Sequence, residues 1–142
     1  MKRNWEIKAG FFTTIRNLFR KGGFNHRFYL YRYRFNRYPD KFKVGRYPLD
    51  VIAEATNLCN LHCSMCFQSD NALPVLETTK ASFMAMETFK KIADECAKYR
   101  IPALKLSWRG EPMLNKNFTE MIRYAKSKRI LEVTSLTNNA HE

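Results

Sequence analysis

Apolar positions in residues 47–142 follow first the spacing of a strand and then that of a helix. In residues 49–56 every second side chain is apolar, which predicts a strand with one buried face. These apolar positions are Leu49, Val51, Ala53 and Ala55. Residues 103–107 and 131–136 are predicted to form a second and a third strand.

Two segments between these strands have the three- and four-residue spacing of a helix that buries one face. The first runs from about Ala85 to Tyr99 and the second from Phe118 to Lys128. Their inward positions are Met86, Phe89, Ala93 and Cys96, then Phe118, Met121, Ile122 and Ala125. Strand, helix, strand, helix, strand is the order typical of a parallel α/β fold, because parallel strands need a crossover connection.

The first 46 residues have a different, aromatic and basic pattern. Helical spacing of Phe12, Ile15, Leu18 and Phe19 predicts a short helix, and Gly22-Gly23 is expected to end it. A second run also has helical spacing, although its residues 31–35 alternate as in a strand, and we favour the helix. The aromatic stripe of this run consists of Phe28, Tyr31, Phe35 and Tyr38, and Pro39 closes it.

Charge divides the chain at about the same place. The formal net charge is +12, and residues 1–46 hold thirteen Lys and Arg against Glu6 and Asp40, whereas the remainder is nearly neutral. We therefore predict a basic aromatic extension over residues 1–46 and a globular domain over residues 47–142. Three roles stay open for the extension: a cap on the domain, contact with RNA, or contact with an anionic membrane surface.

Composition excludes several classes of protein. Apolar residues make up 45% and charged residues 27% of the chain, which excludes intrinsic disorder and collagen-like repetition. No apolar run reaches the roughly 18–20 residues of a membrane span. The N-terminus lacks the uninterrupted apolar core and the small-residue cleavage site of a signal peptide, so we expect a cytoplasmic protein.

Three cysteines directly after the first predicted strand carry the clearest chemical signal. Cys59, Cys63 and Cys66 have C-x3-C-x2-C spacing, which in a cytosolic chain favours a metal site over disulfides. Structural zinc normally takes four protein ligands. A [4Fe–4S] cluster bound by three thiolates keeps one iron open for a small molecule. A zinc site and free structural cysteines are the alternatives; Cys96 is expected in the core, and His62 on a solvent-facing loop.

Three motifs follow the three predicted strands in order, and together they resemble the radical S-adenosylmethionine (radical SAM) superfamily. The segment EATNLCNLHCSMC is similar to the opening of its SPASM-type peptide-modifying and sulfatase-maturing members. Trp108-Arg109-Gly110-Glu111-Pro112 resembles the G-G-E-P motif of the family, and Thr137-Asn138-Asn139 resembles its T-N-G motif. The carboxyl ends of successive strands are where α/β sheets place their ligand sites.

The resemblance implies a fold and a set of cofactor contacts. The fold would be the N-terminal part of a partial (β/α)6 barrel, with about three parallel strands and intervening helices. Cys59, Cys63 and Cys66 would bind three irons of a [4Fe–4S] cluster, and S-adenosylmethionine (SAM) would bind the fourth. The remaining SAM contacts implied by the family are Met65 and Phe67 near the adenine, Gly110, Glu111 and Pro112 at the methionine moiety, and Asn138.

The implied activity is reductive cleavage of SAM to a 5′-deoxyadenosyl radical that abstracts hydrogen from a substrate. That activity needs a reductant protein such as flavodoxin or ferredoxin, and the family's substrates include peptides, RNA and small molecules. No catalytic base is assigned. The competing hypotheses are a non-catalytic iron–sulfur protein for electron transfer or sensing, and a zinc-dependent nucleic-acid-binding module.

The sequence departs from the family pattern at a few positions. Arg109 replaces the first glycine of G-G-E-P, Met65 stands where an aromatic residue is usual, and Asn139 replaces the glycine of T-N-G. The chain also stops six residues after the third predicted strand. We therefore expect it to be the N-terminal part of a longer protein, able to bind a cluster but impaired in turnover by itself.

Overall fold

The computed structural model describes residues 25–69 and 82–138, together with Arg16, Phe19 and Gly23. The chain forms two compact units, Met1–Val44 and Gly45–Glu142. In the described residues no helix is both long enough and apolar enough to cross a membrane.

The first unit contains helix α1, His26–Arg37, as the helical interpretation of the aromatic run predicts. Asn25 caps it, because its side chain accepts a hydrogen bond from the Arg27 backbone N–H at 3.0 Å. Phe28 and Tyr31 are buried, whereas Phe35 is exposed. Of the helix predicted over residues 12–19, the structure describes only Arg16 and Phe19, and the rest lies outside the described residues.

The second unit is built on a three-stranded parallel sheet. Strands β1 (Asp50–Ile52), β2 (Ala103–Lys105) and β3 (Glu132–Thr134) lie in the order β1-β2-β3. Helix α2 (Met86–Lys98) connects the first pair and helix α3 (Phe118–Ser127) the second. The predicted parallel α/β architecture is confirmed.

All three strands are shorter than the sequence pattern predicts, and beyond β2 and β3 serine hydroxyls replace backbone groups in the hydrogen bonding. Beyond β2 and β3 the Ser135 hydroxyl donates to the Leu106 carbonyl at 2.9 Å. The Leu136 N–H in turn donates to the Ser107 hydroxyl at 3.1 Å. These bonds end the regular ladder at the edge of the sheet where the motif loops begin.

The core lies between the sheet and its two helices. All four inward positions predicted for α2 are buried, and so are Met121 and Ala125 of α3. Phe118 and Ile122 are partly buried against the same cluster. Strand β2 and the residues that follow β1 and β2 contribute four side chains to this core cluster, which are Ala53, Ala55, Leu104 and Leu106. Helical and strand periodicity therefore identified the core correctly.

Asp50, the first residue of β1, is expected to lower the stability of the folded protein at neutral pH. Its Oδ1 atom is buried and has no hydrogen-bond partner among the described residues. Burial, and then the charge of Glu132, raise the pKa of Asp50 above its usual 3.8. The folded state thus favours the protonated form, and stability falls as pH rises through that raised pKa. Asp50→Asn is expected to raise the melting temperature at pH 7, with a gain that vanishes at acid pH.

Asp94→Asn is the matched control for Asp50→Asn. A hydrogen bond from Lys128 lowers the pKa of Asp94, so its charged form is the favoured one in the folded state. Thermal melts of this variant at pH 7 should show no gain. Equal gains in both variants would contradict the role assigned to burial at Asp50.

Candidate functional site

The cysteine loop begins where β1 leaves the sheet, and hydrogen bonds fix both of its ends. The Thr56 hydroxyl donates to the Ser82 carbonyl at 2.8 Å and accepts from the Leu58 N–H at 3.1 Å. The Gln68 side-chain amide donates to the Asn57 carbonyl at 2.8 Å. Because Asn57 precedes the three cysteines and Gln68 follows them, the loop is closed on itself.

All three loop cysteines carry free thiols. Cys63 is exposed, and Cys59 and Cys66 are partly exposed. The Cys66 N–H donates to the Cys63 carbonyl at 2.9 Å, which forms a tight turn between these two ligand candidates. Cys96, by contrast, is buried in the core on α2, where burial raises the pKa of its thiol. The loop therefore presents three thiols, and Cys96 takes no part in it.

The loop after β2 packs directly on the start of the cysteine loop. A Cβ atom on Gly110 would lie 2.4 Å from the carbonyl oxygens of both Thr56 and Leu58, so only glycine fits there. The Glu111 N–H donates to the Leu58 carbonyl at 2.7 Å. Gly110 therefore lets the loop after β2 lie directly against the backbone of the cysteine loop.

Glu111 connects the loops after β2 and β3. Its buried carboxylate accepts hydrogen bonds from the Thr137 hydroxyl at 2.6 Å, the Asn138 N–H at 2.7 Å and the Met113 N–H at 3.0 Å. The Asn138 side-chain amide in turn lies 3.8 Å from Cys59 Sγ and donates to Asn60 Oδ1 at 3.0 Å. Hydrogen bonds therefore join all three sequence motifs at the carboxyl edge of the sheet.

Arg109, the departure from G-G-E-P, has a partner at the end of β1. Its Nε donates to Glu54 Oε1 at 2.9 Å and its Nη2 to Oε2 at 2.6 Å, and its backbone N–H also donates to Oε1 at 3.0 Å. The side chain of each residue is 23% exposed. The hydrogen bond from Arg109 lowers the pKa of Glu54. The arginine thus ties the second motif to the first strand.

Removing this ion pair is expected to have a modest, pH-dependent effect. Arg109→Ala should lower the free energy of unfolding by about 1 kcal/mol at neutral pH, because the pair is bidentate but partly exposed. Since the pKa of Glu54 is lowered, the contribution is present above the usual pKa of 4.5 and is lost as pH falls further. Chemical denaturation at pH 7 and at pH 3 measures it. Lys98→Ala, which removes an exposed pair with Glu95 and the contact of the ammonium group with the Tyr99 ring, should change stability little.

Asn115 is a structural residue of the site that the sequence analysis missed. It is buried, and its side-chain amide donates to the carbonyls of Ala55 at 2.8 Å and Met84 at 3.0 Å. Its Oδ1 accepts from the Asn117 N–H at 2.9 Å. An asparagine three residues after Pro112 and just before a helix suggests a turn, but nothing in the sequence indicates its distant partners.

The remaining predicted contact residues differ widely in exposure. Met65 is 93% exposed, and Phe67, in the 3-10 turn Phe67–Ser69, is 46% exposed. Pro112 is buried in the 3-10 turn Pro112–Leu114. Met65 and Phe67 can therefore meet a ligand, whereas Pro112 shapes the loop from inside. Their assignment as cofactor contacts stays a prediction.

The three loop thiols are the kind of donor that holds the irons of an iron–sulfur cluster. In the described part of the chain, no three His, Cys, Asp or Glu side chains are close enough together to hold one metal ion. The thiolates of an iron–sulfur cube bind separate irons, so they stand further apart than the ligands of a single ion. Three free thiols on one closed loop thus fit a [4Fe–4S] cluster.

Comparison with known proteins finds GTP 3',8-cyclases among the relatives of this chain. The chain is 31% identical over 98 residues to a probable GTP 3',8-cyclase of Methanocaldococcus jannaschii, covering 69% of this chain and 31% of that protein. It is 27% identical over 106 residues to the GTP 3',8-cyclase of Mannheimia succiniciproducens, covering 75% and 30%. The chain thus spans less than a third of the length of these curated relatives.

A family model described as a 4Fe-4S single cluster domain matches residues 54–140, more than half of the chain. This match contains the three cysteines, the G-E-P tripeptide and Asn138. The chain belongs to the radical SAM superfamily. The cofactors of that superfamily are a [4Fe–4S] cluster and SAM. Membership of the SPASM subgroup of radical SAM proteins stays a prediction.

A solved structure supports the fold assignment. The structure of BtrN in complex with AdoMet and 2-DOIA matches with a TM-score of 0.54 at 15% identity, over 67% of this chain and 37% of that one. The three parallel strands and two helices described above therefore have the radical SAM fold, as part of a barrel.

Proposed function

We propose that this chain binds a [4Fe–4S] cluster through Cys59, Cys63 and Cys66 and binds SAM at the iron that has no protein ligand. The observation that carries the proposal is the hydrogen-bonded junction of the three motifs. Glu111 bonds to Leu58 in the cysteine loop and to Thr137 and Asn138 after β3. A junction of this kind holds cofactor-binding loops in a fixed mutual position before any cofactor arrives.

When bound, the cluster and SAM supply reductive cleavage of the sulfonium to methionine and a 5′-deoxyadenosyl radical, which abstracts hydrogen from substrate. The chain's own residues bind and orient. The three thiolates leave one iron corner open, and exposed Met65 and Phe67 supply apolar surface for the adenine. The loop Gly110–Pro112 would hold the methionine moiety through its backbone, since the Glu111 carboxylate and Pro112 are buried, and Asn138 lies beside Cys59.

We propose that the protein is an enzyme, with a peptide, an RNA or a small molecule as substrate. A reductant protein such as flavodoxin or ferredoxin would deliver the electron. We place the protein in the cytoplasm, where thiolate ligands stay reduced. A non-catalytic electron carrier would hold the cluster but would not bind SAM at the iron that has no protein ligand.

The ligand assignment is tested by cluster content after anaerobic reconstitution with iron and sulfide. We expect about four irons per wild-type chain, and loss of most iron and sulfide from the single variants Cys59→Ala, Cys63→Ala and Cys66→Ala. Cys96→Ala is the matched control, because this cysteine is buried in the core and should leave cluster content unchanged. Zinc bound without sulfide, or full clusters in the loop variants, would overturn the assignment.

A further inference from the structure

The turn after α1 exposes two apolar side chains almost completely. Phe42 is 95% exposed and Val44 is 96% exposed. They alternate with Lys41 and Lys43, so the segment presents two apolar groups beside two ammonium groups. An exposed phenylalanine by itself is ordinary, but two almost fully exposed apolar side chains within three residues leave apolar surface in water that a partner could cover.

Hydrogen bonds hold this turn in a defined shape. The Lys41 and Lys43 N–H groups both donate to the Tyr38 carbonyl, at 3.2 and 2.9 Å, and the Phe42 N–H donates to the Pro39 carbonyl at 3.2 Å. Phe42 has φ 49°, the left-handed conformation that a residue with a bulky side chain disfavours. The backbone is thus strained, and the strain projects an apolar ring into solvent, a combination that points to a binding role.

The surrounding charge indicates what would be bound. Residues 25–44 contain six Lys and Arg and a single acidic residue, Asp40. Helix α1 has no acidic residue in its first turn and has Arg34 and Arg37 in its last turn, next to the exposed segment. Positive charge together with exposed apolar side chains matches a partner surface that is negatively charged and can accept apolar groups.

We propose that Lys41–Val44 anchors the first unit to an anionic lipid surface. Phe42 and Val44 would enter the boundary between headgroups and acyl chains, while Lys41 and Lys43 extend their ammonium groups to lipid phosphates. RNA fits less well, because Val44 has no ring on which a base can stack. This inference is independent of the proposed cofactor chemistry.

The test is co-sedimentation of the whole chain with vesicles of phosphatidylcholine, with or without phosphatidylserine. We expect binding to the anionic vesicles, weakened by salt, and little binding to neutral ones. The double variant Phe42→Ser/Val44→Ser should lower the partition coefficient at least about tenfold, because two apolar side chains no longer leave water. Lys41→Gln should lower it about fivefold. Phe83→Ser, which removes an exposed phenylalanine from the second unit, is the matched control and should change nothing.

Three outcomes would overturn this proposal. One is equal vesicle binding by wild type and by both the double and the lysine variants. Another is no vesicle binding combined with salt-sensitive binding of single-stranded RNA that survives the double variant. The third is concentration-dependent dimerisation in sedimentation velocity that the double variant abolishes, since the patch would then bind a second copy. Circular dichroism of each variant checks its fold, and Lys41→Gln serves where the double variant is misfolded.

Discussion

Gly110→Ala is expected to destabilise the second unit by about 1–3 kcal/mol and to prevent normal cluster assembly. The added methyl would lie 2.4 Å from two backbone carbonyl oxygens, of Thr56 and Leu58, and backbone atoms cannot rotate away as a side chain can. The cysteine loop must therefore shift, or the loop after β2 must open. Chemical denaturation measures the first effect, and iron and sulfide content after reconstitution measures the second.

Gly23→Ala is the control for Gly110→Ala, because it restricts the backbone of a glycine without creating a steric clash. Gly23 has φ +51°, and a Cβ atom added to it would meet nothing within 4 Å, so alanine there costs only conformational strain, about 1 kcal/mol. It should leave cluster content unchanged. Full cluster content and wild-type stability in Gly110→Ala would show that the two loops do not pack as described.

Glu111→Ala is expected to have the other large effect, a loss of about 3 kcal/mol of stability and disorder of the loop after β3. Removing the buried carboxylate leaves the Thr137 hydroxyl and the backbone N–H groups of Met113 and Asn138 without this acceptor. Denaturation and amide hydrogen exchange at residues 137–138 provide the measurement, and both should change together.

Two graded variants sharpen the Glu111 prediction. Glu111→Gln keeps the size but turns one oxygen into an N–H₂ donor that faces other donors, so it should lose a large part of the same stability. Thr137→Val removes only one of the three bonds and should cost about 1 kcal/mol. If Glu111→Gln were as stable as wild type, the carboxylate would not be the group that joins the motifs.

Local pattern predicted the elements of the second unit well. The alternation of apolar residues over 49–56 identified a buried face that includes Ala53 and Ala55. Helical spacing identified the buried side of α2. These features depend on near neighbours in sequence, which one chain displays directly. The strand ends were predicted too long, because Ser107 and Ser135 take over the hydrogen bonding there through their hydroxyls. Nothing in the sequence indicates that the hydroxyls of these two serines replace backbone groups.

The sequence indicated the loops of the candidate site but did not reveal what joins them. Motif spacing indicated the three thiols and the loop after β2, and family resemblance supplied their chemistry. The connections from Glu111 to Asn138, from Arg109 to Glu54 and from Asn115 to Ala55 span 27, 55 and 60 residues. Contacts at such separations depend on the register of the parallel sheet, which no local pattern specifies.

The central claim is that the three loop thiols hold a [4Fe–4S] cluster with one iron open to SAM. The most direct measurement is the electron paramagnetic resonance spectrum of the anaerobically reconstituted, reduced chain, with and without SAM. We expect a [4Fe–4S] signal that changes shape when SAM is added, and no such signal in Cys59→Ala. A cluster signal indifferent to SAM would contradict the open iron corner, and well-folded protein that assembles no cluster would contradict the claim as a whole.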